Sequence, residues 1–189
     1  MNESQETALI RRSQAGDKTA FGTLVEQYRS PLFGTAYLML RDRGLAEDAV
    51  QEALIQIWKH LPAFRFQSSL KTWLVRVVIN EVKQQARKKR PVTVPLESTI
   101  DKTDAPDGLE TAMIRSEERY SLRQALEKLQ PEQRESVVLR YYSELTVPEI
   151  AAVTGQHEGT VKSRLSRALD RLGEILSRDR AWEGGGEIQ

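Results

Sequence analysis

Residues 146–172 read TVPEIAAVTGQHEGTVKSRLSRALDRL, and this stretch decides the fold. Thr146-Val147-Pro148-Glu149 has the form of a capping box, in which the Thr hydroxyl accepts from the backbone N–H three residues on and the Glu reaches back. A short helix from Val147 to Val153 follows and stops at Gly155, and a new helix begins near Glu158 or Gly159. Helix, tight Gly-containing turn, helix is the helix-turn-helix pattern, whose second helix enters the DNA major groove. In that second helix Val161, Leu165, Ala168, Leu169 and Leu172 form an inward stripe. Lys162, Ser163, Ser166 and Arg167 lie opposite, flanked by Arg164 and Arg171. Such a cationic, hydroxyl-rich face suits phosphates and base edges, because Arg reads guanine acceptors and Ser donates or accepts. The plain alternative is a solvated helix face.

Immediately upstream, Leu129-Gln130-Pro131-Glu132-Gln133-Arg134 sets Pro in a first helical turn, followed by the apolar Val137, Val138 and Tyr141. Before that, PLESTIDKTDAPDGLE mixes Pro, Gly, Ser, Thr and Asp without apolar periodicity, a composition that cannot offset its chain entropy. The segment 94–118 holds 2 Lys+Arg against 7 Asp+Glu, whereas residues 1–93 hold 15 against 9 and residues 119–189 hold 11 against 11. The formal net charge of +1 therefore conceals a segregated distribution. The expected architecture is all-α: two small helical domains, 1–92 and 113–180, joined by a flexible acidic linker over 93–112, with a disordered tail at 181–189.

The N-terminal half is also helical in period. Asp17 is the expected N-cap of a helix carrying Phe21, Leu24, Val25, Tyr28, Leu32, Tyr37 and Leu40, which Gly44 breaks. Ala46, Ala49, Val50, Ala53, Leu54, Ile57, Trp58 and Leu61 give the next helix one apolar face, ended by Pro62. Its outer face carries Glu47, Asp48, Gln51, Glu52 and Ile55, a surface suited either to solvent or to a basic helix on a partner. Next comes the loop Phe64-Arg65-Phe66-Gln67-Ser68-Ser69, then a helix from about Leu70 into Arg87-Lys88-Lys89-Arg90. On it Thr72, Arg76, Asn80, Lys83 and Arg87 share a stripe, and residues 71–90 hold seven Lys+Arg and one Glu. Cations beside Phe64, Phe66 and Trp73 suit single-stranded nucleic acid, with phosphates on the charges and bases on the rings. Trp73 fits the core equally well, beside Leu70, Leu74 and Val77. The segment before Gly16 receives no role.

Composition narrows the function classes. With 189 residues, no cysteine and only His60 and His157, disulfides, thiolate catalysis and Cys- or His-based metal centres are not expected. There is no apolar run of membrane-spanning length and no signal-peptide pattern, so a cytoplasmic protein is expected. No Gly-rich phosphate loop or nucleophile motif points to an enzyme, and no cofactor is called for. A stand-alone helix-turn-helix regulator is the competing reading, though no separate dimerisation heptad accompanies it.

Taken in order, AEDAVQEALIQIWKHLPAF, SSLKTWLVRVVINEVKQQARKK and LQPEQRESVVLRYYSELTVPEIAAVTGQHEGTVKSRLSRALDRL resemble an extracytoplasmic-function (ECF) sigma factor, a specificity subunit of bacterial RNA polymerase. The resemblance runs from about residue 15 to 177. It implies that Glu47, Asp48, Gln51, Glu52 and Ile55 bind core RNA polymerase. It implies that Phe64, Phe66, Ser68, Trp73, Arg76, Asn80, Lys83 and Arg87 read and open the −10 promoter element, the 64–69 loop taking a flipped base. The −35 element would be read as duplex through Thr160, Lys162, Ser163, Arg164, Ser166, Arg167 and Arg171. Core RNA polymerase, promoter DNA and an anti-sigma factor are the implied partners, with no membrane insertion. One departure is His157-Glu158-Gly159, where many relatives carry Pro before Gly-Thr-Val, which bears on the cap of the recognition helix.

Overall fold

The computed structural model describes residues 3–88 and 120–183, and every regular element among them is helical. In chain order these are α1 (Glu3–Gln14), α2 (Lys18–Leu40), α3 (Arg43–His60), α4 (Leu70–Lys88), α5 (residues 120–127), α6 (Pro131–Val137), α7 (Val147–Thr154) and α8 (Glu158–Glu183). A 3-10 turn, Leu61–Ala63, follows α3, and a π-helical turn, Val138–Tyr142, follows α6. The all-α expectation holds among the described residues. The expected linker at 93–112, the basic residues Lys89 and Arg90, and the tail beyond Glu183 lie outside them. Helix α8 continues through 181–183, positions the sequence reading gave to the tail.

Helix starts follow their caps. Asp17 accepts from the Ala20 N–H at 2.9 Å and opens α2, as its position predicts. Asp42 accepts from the Leu45 N–H at 3.0 Å, so α3 begins at Arg43 and takes in Gly44, which sequence reading made a break. An Asp cap and the tertiary packing of the helix outweigh the roughly 1 kcal/mol a helical Gly costs. The break lies instead at Arg41, whose left-handed backbone (φ 58°) ends α2 with its N–H on the Tyr37 carbonyl at 2.8 Å. Thr146 and Glu149 form the expected capping box, and Gly155 (φ 70°) ends α7 in the left-handed conformation glycine favours.

Helices α1–α4 pack around Leu24, Leu32, Ile57, Leu61, Leu74 and Ile79, all fully buried. The alanines of α3, Ala46, Ala49 and Ala53, are wholly enclosed and let its neighbours approach closely. In the C-terminal half Leu139, Leu145, Ile150, Val161 and Ala168 fill the space between α6, α7 and α8. Each large side chain so buried contributes about 1.5–3 kcal/mol. Tyr141, expected with Val137 and Val138 on the apolar face, is 58% exposed. The π turn, closed by Ser143 N–H on the Val138 carbonyl at 2.9 Å, fits an extra residue into the turn and rotates Tyr141 outward.

The two halves also touch each other along a seam in which α2 meets the π turn and α4 meets α7. Thr35 and Ser143 share a buried hydroxyl hydrogen bond of 3.0 Å, and the Arg123 guanidinium lies 5.7 Å from the centre of the Tyr37 ring. Gly34, inside α2, is the seat of Tyr142: a Cβ there would fall 1.8 Å from the Tyr142 hydroxyl oxygen. Gly34→Ala favours the helix by roughly 1 kcal/mol intrinsically but must displace the tyrosine. Small-angle scattering should therefore show Gly34→Ala and Tyr142→Ala each expanding the chain, with the double substitution adding nothing to either. Additive expansion would mean that the ring and the glycine act independently.

Candidate functional site

Three surfaces carry the residues singled out by the sequence. The first is the outer face of α3. Because α3 commits its alanine stripe to the core, Glu47, Asp48, Gln51, Glu52 and Ile55 all stand in solvent, Ile55 at 42% exposure. Glu47 is held by Arg43 one turn earlier at 3.0 Å, a pairing that leaves the other carboxylates as the charge of this face. Beside them runs an open groove of about 750 Å³ between α2 and α3, bordered by Glu26, Arg29, Phe33, Val50, Gln51 and Leu54. The α2 side of this groove escaped the sequence reading. Phe33 sits among apolar residues of a long helix, and only the packing angle of α2 on α3 shows which of them edges a groove.

The second surface is the 64–69 loop with α4. Ser69 caps α4, its hydroxyl accepting from the Thr72 N–H at 3.1 Å. Phe64, expected as a stacking ring, is 7% exposed and wedged 5.2 Å from Trp73 and 5.0 Å from Phe66. It is the floor of the loop, buried because the 3-10 turn folds it back onto α4. Phe66 is the exposed ring, 48% accessible, on a left-handed backbone of φ 56°. Ser68 is exposed and Trp73 half-buried, so the tryptophan serves the core and still edges the surface.

The basic stripe of α4 divides. Asn80 and Arg87 remain exposed. Thr72 is buried at the seam and donates to Glu149 at 2.6 Å, Arg76 donates to the Ala152 carbonyl at 2.5 Å, and Lys83 pairs with Glu135 at 2.9 Å. Lys71 adds an ion pair with Glu144 at 2.8 Å. Thus α4 presents one face to α7 and the α6 region, with Arg76 at its exposed margin, and Asn80 and Arg87 to solvent.

The third surface is α8. Val161, Leu165, Ala168 and Leu172 are buried as expected, while Leu169 is 43% exposed and leaves the inward stripe. Position 169 falls one residue beyond Ala168, about 100° round the helix, where the small α7 no longer covers it. Lys162, Ser163, Ser166, Arg167 and Arg171 are exposed, and Thr160 and Arg164 are partly so. Arg167 folds back on its own helix, donating to the Ser163 carbonyl at 3.1 Å, and Arg171 pairs with Glu174 at 2.8 Å. At the departure point the His157 carbonyl accepts from the Thr160 and Val161 N–H groups, so α8 starts without the proline.

The charges along the seam shift as their contacts require. The Thr72 hydroxyl first, then the Thr146 backbone, holds Glu149 below the ordinary carboxylate range, and Lys71 does the same for Glu144. Both carboxyls return toward that range when the halves part, so docking is favoured above it and weakens as pH falls through the lowered values. The chain has no cysteine, so the variants Lys59→Cys and Ser177→Cys can carry a clean label pair. The label separation should lengthen on acidification below the carboxylate range, and less so in Glu149→Gln, which is already partly open at neutral pH. A distance that stays constant while far-UV dichroism reports intact helices would contradict this coupling.

No described helix is long and apolar enough to cross a membrane, and no described group of His, Asp and Glu is arranged to hold a metal ion. Residues 24–92 match the family described as Sigma-70 region 2, and residues 119–172 the family described as Sigma-70, region 4. The chain is 32% identical to the RNA polymerase sigma-H factor of Pseudomonas aeruginosa, over 93% of this chain and 96% of that one. It is 31% identical to the ECF RNA polymerase sigma-E factor of Escherichia coli, over 88% and 92%. Among solved structures it is similar to the sigma factor RpoE in complex with the anti-sigma factor NepR from Bartonella quintana, with a TM-score of 0.68 and 31% identity over 83% and 96% of the two chains. CnrH, solved in complex with the cytosolic domain of CnrY, shares the fold, with a TM-score of 0.69 and 24% identity over 93% and 99%.

Proposed function

Because the chain belongs to the ECF RNA polymerase sigma factors, whose work is to direct core polymerase to promoters and assist their opening, we propose how its three surfaces divide that work. The observation that carries the division is the partition of α8: Val161, Leu165, Ala168 and Leu172 are enclosed, while Lys162, Ser163, Ser166 and Arg167 face solvent, with Leu169 beside them. This helix reads the −35 element as duplex, with Thr160, Arg164 and Arg171 at its margins. Arg167 exchanges its bond to the Ser163 carbonyl for a base edge or a phosphate.

The acidic face of α3 binds the core enzyme. Glu47, Asp48, Gln51 and Glu52 meet a basic partner helix, and Ile55 with the neighbouring groove supplies the apolar contact that desolvates them. The second surface handles the −10 element. Phe66 offers its exposed ring to an extruded base, Ser68 lines the loop, and Trp73 and Phe64 support it from beneath. Arg76, Asn80, Lys83 and Arg87 follow the opened strand. Arg76 and Lys83 now hold Ala152 and Glu135, so strand contact through them requires the C-terminal half to leave α4. Ala152 is exposed, so a phosphate replaces its carbonyl readily, whereas the Glu135 carboxylate is largely buried and must regain water as Lys83 leaves it.

Two domains, 1–92 and 113–180, joined by the acidic segment 93–112, suit this arrangement. Each binds weakly alone, and anchoring on the polymerase raises the effective concentration of one site for the other. The chain acts in the cytoplasm as a regulatory subunit, with catalysis left to the polymerase. An anti-sigma protein, such as the one seen with the Bartonella quintana factor, is the fitting inhibitor. The Asp48→Lys variant should lower core-polymerase affinity at least tenfold, about 1.4 kcal/mol, in an anisotropy titration. Arg167→Ala should leave that affinity unchanged while weakening initiation at promoters that depend on the −35 element, by about 1–3 kcal/mol of lost recognition. If both substitutions abolished core binding alike, the division of labour would be wrong.

A further inference from the structure

Helix α1 reaches the loop that handles the −10 element. Gln14, its last residue, sends one side-chain amide nitrogen to two carbonyls far along the chain: Leu61 at 3.1 Å and Phe64 at 2.9 Å. The Leu61 carbonyl also accepts from the Phe64 N–H at 3.0 Å, closing the 3-10 turn. One half-buried amide therefore ties down both ends of the turn that launches the loop. Only a group with two hydrogens on one nitrogen serves both carbonyls, which the Gln amide has and a carboxylate lacks.

The amide is itself well held. Ile10 is buried against the α2 side of the core, and Ser13, also buried, bonds back to the Leu9 carbonyl. Arg12 pairs with Asp17 at 2.7 Å, and the Tyr28 hydroxyl bonds to Glu6. Beyond the turn, the buried Phe64 ring supports Phe66, whose left-handed backbone a non-glycine residue keeps only where its surroundings impose it. The chain of contacts runs from Gln14 through the two carbonyls and Phe64 to the exposed ring.

We propose that Gln14 is a positioning residue for promoter opening: it fixes the Leu61–Phe64 turn so that Phe66 is set for an extruded base before DNA arrives. The proposal rests on the reading of the 64–69 loop as a base-capturing site. A loop ordered in advance loses less conformational freedom when the base enters, so the captured state gains affinity without any contact between Gln14 and DNA.

The test uses the full chain with core polymerase on a promoter carrying 2-aminopurine in the −10 element, whose fluorescence reports opening. Gln14→Met keeps the bulk of the side chain and removes its donors, and a thermal melt checks that it folds. Open-complex formation should fall about fivefold to tenfold, the size expected for two lost hydrogen bonds, with core affinity unchanged. With an abasic nucleotide placed in turn at each −10 position, one position should erase the difference between Gln14→Met and the parent, and the same position should erase the effect of Phe66→Ala. A purely structural role would leave the Gln14→Met deficit equal on every template. If Gln14→Met opens promoters as well as the parent while one abasic position erases the Phe66→Ala deficit, the positioning role is refuted and the loop reading stands. If no abasic position erases the Phe66→Ala deficit, the base-capturing reading falls, and the role of Gln14 with it.

Discussion

A single carboxylate, that of Glu149, fastens two levels of this structure at once. One of its oxygens accepts from the Thr146 N–H at 2.9 Å and the Thr146 hydroxyl at 2.7 Å, completing the cap of α7. The other accepts from Thr72 of α4 at 2.6 Å. The helix-turn-helix needs α7 to start at Val147, because Ile150 and Val153 face α8 only in that register. The seam needs the same carboxylate at the first turn of α4. Local helix geometry and the relation of the two halves thus share one ionised group, and each keeps it ionised for the other.

What could be read in advance divides along the line between local and non-local. The capping box, the Asp17 cap, the Gly155 terminus and the buried faces of α3 and α8 are set by residues within a few positions of one another, and periodicity exposes them. Gly44 was misread because the cap that overrides it, Asp42, lies outside the apolar period that marked the helix. Leu169 and Tyr141 were misplaced for a related reason. Both sit one step from the correct face, and only the width of the covering neighbour, or a π turn, decides which side of the boundary they fall on. Phe64 and Phe66 are indistinguishable as letters; the 3-10 turn sends one ring into the core and leaves the other outside. The seam was invisible because its contacts join residues 73, 76, 77 and 108 positions apart.

A net charge of +1 hides a segregation of acidic and basic side chains onto different faces. Asp48 and Glu52 stand on the outer face of α3, whereas Lys162, Arg167 and Arg171 stand on the outer face of α8. A uniformly basic chain would bind DNA anywhere. With charges this balanced, general attraction to phosphate is weak, and selectivity has to come from individually placed contacts rather than from total charge.

The seam is built from the kind of contact that such a protein can afford to break. Lys71–Glu144 is largely exposed, Arg76 reaches a carbonyl at the surface, and Tyr142 is nearly half in solvent. Surface ion pairs contribute at most about 1 kcal/mol each. Arg134, buried close to this boundary, has its pKa pulled down first by burial and then by the Arg41 charge, so the junction holds one cation at a cost rather than a gain. A seam with a large apolar face would bury the α4 stripe permanently. One in which hydroxyls, carboxylates and guanidinium groups join the Tyr142 ring instead keeps Thr72, Arg76 and Lys83 hydrogen-bonded or ion-paired in a row along one helix, in contacts that water can replace.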